Sequence, residues 1–209
     1  MRRRFSKKYR IRIFCLLAAA LMAAGAVFCT VSAQRELSRS ILRLHVVANS
    51  DSEADQALKA EVRDAVVEKW NEYAQGLDSI GETKELASRV LPVLEQTARE
   101  TAQVRGFDYA VEAKLERTVF PTRDYGGFSL PAGEYDAVLI KLGRAEGKNW
   151  WCVMFPPLCG ADGDRAEVEG LCREDGVNAA GIRLMTGDGA QVKFSFRLLE
   201  LLYGQGLGG

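Results

Sequence analysis

The sequence has few of the residues on which catalysis and metal binding usually depend. His45 is the only histidine among 209 residues, so any mechanism that needs an imidazole must use it. One histidine and the cysteines outside the first 33 positions show no standard zinc-binding spacing, which predicts no metal site. The G-x-S-x-G motif of the serine hydrolases is also missing. The composition therefore gives little support to an enzyme, and we expect no catalytic residue and no cofactor.

Acidic residues are missing from the first 33 positions, although the whole chain is formally neutral. This segment contains seven basic residues, namely Arg2, Arg3, Arg4, Lys7, Lys8, Arg10 and Arg12. The rest of the chain has 21 basic and 28 acidic residues, which is a net charge of about −7. Phosphate binding needs a surface rich in lysine and arginine, so the acidic body indicates that nucleic acid is not a partner.

The N-terminal segment is typical of an export signal. Its basic start is followed by residues 13–33, which carry no charge and close with Val31-Ser32-Ala33, small residues that suit a signal peptidase. We prefer cleavage, which would leave Gln34 as the new N-terminus. An uncleaved membrane anchor is the alternative, because a run of this length can span a bilayer. The positive-inside rule places the remainder outside the cytoplasm in both cases.

Beyond residues 1–33 we expect one folded unit. Residues 34–40 are polar and predict a short mobile tether, residues 41–203 form a single extracytoplasmic domain, and residues 204–209 form a flexible glycine-rich tail. Alternation of apolar and polar residues predicts strands at 41–48, 109–116, 135–142 and 150–155. The loop 143–149 suits an antiparallel hairpin between the last two of these strands.

A period of 3.6 residues predicts two long helices, at 52–75 and 82–105. Ser50 and Glu53 form a capping box for the first helix, and Pro92 should kink or divide the second. The apolar stripes are expected at Ala54, Leu58, Val62, Ala65, Val66, Trp70 and Tyr73, and at Leu86, Val90, Val93, Leu94, Thr97, Thr101 and Val104.

The remaining segments give weaker signals. Residues 120–134 look irregular, residues 160–189 predict no element, and residues 191–203 begin as a strand and end as a helix. Together these patterns predict an α+β domain in which two long helices pack on a mostly antiparallel sheet.

Cysteine and histidine chemistry leaves two interpretations. In an exported protein, Cys152 and Cys159 on either side of the Pro156-Pro157 turn favour a small disulfide loop, with Cys172 unpaired. The alternative is an exported cell-wall hydrolase or transferase that uses His45 with Cys152 or with Ser50. We favour the disulfide, and we favour a capping role for Ser50 and Asp51 over a catalytic one.

Two adjacent tryptophans, Trp150 and Trp151, belong to a predicted strand. Neighbouring residues of a strand point to opposite faces, so both can be buried only if both faces of the sheet are covered. One of them is therefore a candidate contact for a partner. The segment between Pro121 and Pro131, with Tyr125 and Phe128, is a second candidate contact surface.

Three long stretches resemble the stage II sporulation protein R family. They are RLHVVANSDSEADQALKAEVRDAV at residues 43–66, FPTRDYGGFSLPAGEYDA at residues 120–137, and NWWCVMFPPLC at residues 149–159. The resemblance covers about residues 40–160 and includes the N-terminal signal.

This resemblance implies a secreted signal made in the forespore and exported into the space between the forespore and mother-cell membranes. Its implied partner is a membrane-embedded aspartic protease of the mother cell, which processes the sigma-E precursor. The matching stretches supply the candidate partner-binding residues Arg43, His45, Asn49, Asp51, Arg63, Asp64, Trp150 and Trp151.

Overall fold

The computed structural model describes residues 7–159, 165–187 and 190–203. Within them the chain forms helix α1 (Lys7–Arg39), strand β1 (Leu42–Val47), helices α2 (Glu53–Tyr73) and α3 (Ile80–Val104), strands β2 (Val111–Phe120), β3 (Arg123–Asp124), β4 (Ser129–Leu130), β5 (Gly133–Leu142) and β6 (Asn149–Phe155), and helices α4 (Arg165–Glu174), α5 (Ala179–Thr186) and α6 (Ala190–Tyr203). The predicted α+β class and the N-terminal apolar helix are confirmed. The predicted tail at 204–209 lies outside the described residues.

The main sheet is mixed and has the strand order β2-β5-β1-β6. Strand β1 lies between β5 and β6, parallel to β5 and antiparallel to β6. The predicted hairpin between β5 and β6 is therefore wrong. The loop after β5 instead crosses the end of β1, where Gly147 N donates to Ala48 O at 2.9 Å. Because β6 and β2 are the outer strands, each has one edge without a neighbour in this sheet.

One face of the sheet packs against α2 and α3. Leu44 and Val46 of β1 meet Leu58 and Trp70 of α2 in this core, as the alternation of β1 predicts. Helix α3 is continuous through Pro92, so the proline does not divide it. Four residues of the predicted stripes are exposed and lie outside the core, namely Ala54, Tyr73, Val93 and Val104.

The cap of α2 also differs from the prediction. Ser52, not Ser50, is the N-cap, and its hydroxyl accepts a hydrogen bond from Asp55 N at 3.2 Å. The Ser50 hydroxyl instead donates to the carboxylate of Asp55 at 2.5 Å. The helix therefore begins two residues later than a cap at Ser50 would allow.

The opposite face carries a second core that joins several segments. Its members include Leu37 of α1, Phe120 at the end of β2, Phe128, Val168 of α4 and Met185 of α5. The predicted tether at 34–40 is helical as far as Arg39, and both Gln34 and Leu37 are about 1% exposed. This end of α1 carries polar residues on its exposed side, which is why composition alone suggests a tether.

The described parts of the C-terminal region consist mainly of three helices. Helices α4 and α5 lie within the region 160–189, for which the sequence predicted no element. The strand predicted at the start of residues 191–203 is wrong, because these residues belong to α6. Residues VKFSF have strand propensity, but the chain continues them as one helix with the apolar RLLELLY segment.

Candidate partner-binding surfaces

The eight candidate partner-binding residues do not form one surface. Asn49 and Asp51 follow β1, the set of Arg63, Asp64 and Trp150 lies on the face covered by α2, and the set of Arg43, His45 and Trp151 lies on the opposite face. The sheet separates the last two sets. A single partner can therefore contact only some of them directly.

Asn49 and Asp51 are used inside the protein. The Asn49 amide donates to Asp55 at 2.9 Å, and its oxygen accepts from Arg144 N at 3.0 Å. Asp51 accepts from Lys148 N at 2.6 Å. These bonds attach the loop between β5 and β6 to the start of α2. Both residues thus have a structural role that accounts for them without a partner.

Asp55 is the centre of this network, although the sequence prediction did not single it out. Asp55 is about 3% exposed as a residue, and its carboxylate accepts hydrogen bonds from Ser50, Asn49 and Tyr109. Burial alone would raise the pKa of Asp55, but these hydrogen bonds to the charged form outweigh it and hold the pKa below its ordinary value. The carboxylate therefore stays ionised and fixes the three donors.

Trp150 lies on a groove between β6 and α2, which we call the Trp150 groove. Its volume is about 660 Å³. The residues that define it are Trp150, Arg63, Asp64, Val67 and the bridged pair Cys152 and Cys159. Trp150 is 40% exposed, and the guanidinium carbon of Arg63 lies 4.3 Å from the centre of its ring. Arg63 also pairs with Asp64 at 2.6 Å.

This groove combines an exposed aromatic ring, a stacked arginine and an unpaired strand edge. Aromatic residues and arginine are enriched among the residues that dominate binding energy at protein interfaces. The disulfide between Cys152 and Cys159 closes one wall, with a distance of 5.3 Å between the two Cα atoms. Such a surface suits the contact of another polypeptide.

Arg43, His45 and Trp151 belong to a different set, which we call the arginine–aromatic cluster. It consists of Arg43, His45, Phe120, Arg123, Tyr125, Tyr135 and Trp151. The His45 ring lies 5.7 Å from Phe120 and 5.6 Å from Trp151, measured between ring centres. Tyr125 is the one member from the predicted contact segment that touches Arg43.

His45 is held as a neutral ring. Its Nε2 lies 2.7 Å from Asn149 Oδ1, so Nε2 carries the proton and donates. Burial lowers the pKa of His45 below 6.5, and the charge of Arg43 lowers it further, while the bond to Asn149 opposes them. This geometry leaves Nδ1 without a hydrogen-bond partner among the described residues.

Neither catalytic pair that the sequence allowed is formed. Cys152 is bridged to Cys159 and packs with Leu44 in the core under α2, whereas His45 faces the opposite side of the sheet. The Ser50 hydroxyl bonds to Asp55, and the His45 ring bonds to Asn149. The structure therefore does not contain either side-chain pair, His45 with Cys152 or His45 with Ser50, that the hydrolase or transferase alternative uses. Within the described ranges no group of three acidic, histidine or cysteine side chains could hold a metal ion.

Comparison with known proteins identifies the family of the chain. The family model described as "Stage II sporulation protein R (spore_II_R)" matches residues 38–165. The protein called "Stage II sporulation protein R" of Bacillus subtilis (strain 168) is 37% identical over 161 residues, which are 76% of this chain and 72% of that protein. The chain belongs to the stage II sporulation protein R family. No solved structure matches it significantly.

The part of the chain that matches the stage II sporulation protein R family contains the whole main sheet, α2 and α3. It also contains the Trp150 groove and all members of the arginine–aromatic cluster. Helices α5 and α6 and nearly all of α4 follow the matched residues. Both candidate surfaces are therefore features of the family's portion of the chain.

Proposed function

We propose that this chain is an exported sporulation signal that activates a membrane-embedded aspartic protease of the mother cell and so triggers processing of the sigma-E precursor. It acts from the space between the forespore and mother-cell membranes. Its mechanism is binding, which shifts the protease population toward the active form. One observation carries the proposal. The same chain contains the family segment 38–165 and an N-terminal helix that is long and apolar enough for membrane insertion.

The N-terminal helix supports the export step. Among the described residues, the one helix long and apolar enough to cross a membrane runs from Arg10 to Arg39, with a mean hydropathy of 2.3 in its most apolar window. Large apolar side chains of this helix, such as Leu21 and Phe28, are more than 70% exposed. The basic residues precede the apolar run, which favours a cytoplasmic N-terminus and an external domain.

The Trp150 groove supports the binding step. Trp150 is exposed and stacked, and it lies beside the free edge of β6. Within the groove we propose Trp150, Arg63 and Asp64 as the direct contacts with the protease. Asn49 and Asp51 would then act by fixing the loop that leads into β6.

The decisive experiment is reconstitution in a non-sporulating host. The chain is co-expressed with the sigma-E precursor and its processing protease, and cleavage of the precursor is measured by immunoblot. We expect cleavage only when all three proteins are present and only when residues 1–33 are retained. Cleavage that does not depend on this chain would remove the signalling proposal. Cleavage by a chain that lacks residues 1–33 would show that export is not required.

A further inference from the structure

Arg43 is a buried cation whose hydrogen-bonding capacity is largely unused. It is the second residue of β1, and its residue exposure is 0%. Nη2 donates to the Tyr125 hydroxyl at 2.5 Å. Nε and Nη1 have no acceptor among the described residues, although buried donors in proteins are nearly always paired. A guanidinium with two free donors at this depth needs a physical explanation.

Its surroundings do not neutralise its charge. The guanidinium carbon lies 3.9 Å from the centre of the Phe120 ring and 5.0 Å from that of Tyr135. These ring faces attract a cation, but they accept no conventional hydrogen bond. No carboxylate pairs with Arg43 among the described ion pairs, and exposed Arg123 adds a second positive charge nearby. Burial accordingly lowers the pKa of Arg43.

The same layer holds another unmatched donor. The indole nitrogen of Trp151 is buried and has no partner in the described part of the chain. The Trp151 ring lies 6.4 Å from Phe120, and the Arg123 guanidinium stacks on it at 3.9 Å. The cluster thus holds hydrogen-bond donors of Arg43 and Trp151, together with the positive charges of Arg43 and Arg123, on the same face of the main sheet.

The cover of this cluster is residues 121–132, which we call the strap. Its strands β3 and β4 have two residues each and pair only with one another. Tyr125 N donates to Phe128 O at 2.8 Å, and the rings of Tyr125 and Phe128 stack at 4.8 Å. The Tyr125 hydroxyl also approaches Trp151 O at 3.4 Å. Phe128 and Leu130 anchor the strap in the second core, whereas Arg123, Asp124 and Gly126 beside Tyr125 are exposed. Displacing the Tyr125 hydroxyl therefore requires movement of the exposed tip of the strap and not of its buried end.

We propose that Arg43 is the residue that binds the anion in a carboxylate-binding site. The strap covers this site, and the bound carboxylate replaces the Tyr125 hydroxyl as the acceptor of the Arg43 hydrogen bond. Two adjacent guanidinium donors match the two oxygens of a carboxylate, and this match uses Nη2, which Tyr125 now occupies. One buried positive charge is balanced by a monoanion, and the aromatic walls favour a planar group. The carboxylate comes either from a small free acid or from an Asp or Glu side chain of a docked polypeptide.

The test uses the full chain in detergent micelles at neutral pH, with thermal unfolding followed by circular dichroism. Sodium acetate is the probe, acetamide is its neutral isostere, and ionic strength is held constant with sodium chloride. We expect acetate to raise the unfolding midpoint by about 3 to 5 °C at a tenfold excess over its dissociation constant, and acetamide to have no effect. Equal responses to acetate and acetamide, or no response to either, overturn the proposal.

Two variants locate the effect. Arg43→Met should abolish the acetate response and should raise the midpoint in plain buffer, because an apolar side chain of similar length replaces an uncompensated buried charge. Arg63→Met is the matched control, since Arg63 likewise lies over an aromatic ring, that of Trp150, but already pairs with Asp64. The acetate response should persist in this control. A response that survives in Arg43→Met, or that disappears in both variants, contradicts the assignment.

Tyr125→Phe gives a test that does not depend on changing the arginine. It removes the competing hydroxyl and should lower the concentration of acetate needed for half of the midpoint shift. An unchanged or higher concentration would show that the ligand does not replace this hydroxyl, which overturns the proposed geometry. This measurement still decides the question if Arg43→Met fails to fold.

A last arm identifies the source of the carboxylate. A blocked Gly-Glu-Gly peptide is compared with its Gln counterpart and with acetate. A response to the Glu peptide at lower concentration than acetate indicates a polypeptide ligand, and a response to acetate alone indicates a small free acid. A response to the Gln peptide equal to that of the Glu peptide contradicts a carboxylate site. Because every readout concerns this chain alone, failure here leaves the signalling proposal untouched.

Discussion

At the scale of single residues, two buried ionisable groups have opposite surroundings. Asp55 is charged and receives hydrogen bonds from three side chains. Arg43 is charged and has one side-chain acceptor, a phenol. A buried charge whose hydrogen bonds are satisfied is tolerated, and removing its partners is costly, whereas a buried charge without partners itself costs stability. The two residues should therefore respond oppositely to neutral substitution.

We predict that Asp55→Asn lowers the free energy of unfolding by about 2 kcal/mol. The NH2 group of the new amide would face a hydrogen-bond donor, where the carboxylate oxygen had accepted that donor's hydrogen bond. Thermal or urea unfolding of the full chain in detergent measures the loss. Glu53→Gln, an exposed change in the same helix turn, is the control and should cost far less. Equal losses in the two variants would mean that the network around Asp55 contributes little.

His45 should make stability depend on pH. Its pKa in the folded protein lies below 6.5, chiefly because burial disfavours the charged ring. The unfolded chain therefore takes up the proton at higher pH, and the free energy of unfolding should fall as the pH drops below about 6.5. His45→Gln should weaken this dependence in unfolding midpoints recorded between about pH 7 and pH 5. Identical pH profiles for both proteins would contradict the neutral, buried ring.

At the scale of elements, the sequence pattern predicts individual helices and strands but does not predict which strands are neighbours in the sheet. Strand β1 and helices α2 and α3 follow from periodicity, because their apolar positions repeat along the chain. The position of β1 between β5 and β6 does not, since neighbours in a sheet are chosen by contacts distant in sequence. Helix α1 shows a further limit, because its last turns look polar yet bury Leu37.

We predict that Leu37→Ala destabilises the domain by roughly 3 kcal/mol, because it removes a fully buried side chain from the second core. Leu21→Ala is the matched control in the same helix, where the leucine is 76% exposed. Thermal unfolding of both full-length variants in detergent measures the difference. A Leu37 variant as stable as the control would show that the end of α1 does not belong to the core.

The disulfide loop between Cys152 and Cys159 gives a second test at this scale. Closing a loop of this length contributes about 2.5 kcal/mol by restricting the unfolded chain. The double variant Cys152→Ser, Cys159→Ser should lose about that amount in urea unfolding. Non-reducing mass analysis of the exported protein should find the bridge, with Cys172 as the free buried thiol. Two additional free thiols would refute it.

At the scale of the whole molecule, the resemblance in sequence identified the segments shared with the family but not their arrangement in space. The fold divides six of the eight candidate residues between the two faces of the main sheet and places Asn49 and Asp51 in the segment after β1. Arg123 and Phe120, which surround Arg43, belong to the matching stretches but gave no separate signal. A lone arginine within an alternating apolar strand was the available sign of a buried charge.

We predict that Trp150→Ala reduces precursor cleavage in the reconstituted system by tenfold or more, which is the loss of about 1.4 kcal/mol or more in binding. Tyr73→Ala is the matched control, because Tyr73 is an exposed aromatic residue of α2 outside the groove. Its effect should be small. Equal activity of the two variants, with both proteins folded, would place the protease contact elsewhere.

The continuity of α1 from its apolar run into the second core has a further consequence. When the intact helix is inserted in a bilayer, it connects the membrane to the domain without a flexible linker. The domain then has a fixed orientation and a fixed distance relative to the membrane surface. Encounter with a membrane-embedded partner then becomes lateral diffusion of two pre-oriented bodies. Fewer rotations must be searched, and less orientational freedom is lost on contact. A weak contact patch can thus suffice in the membrane plane where it would fail in free solution.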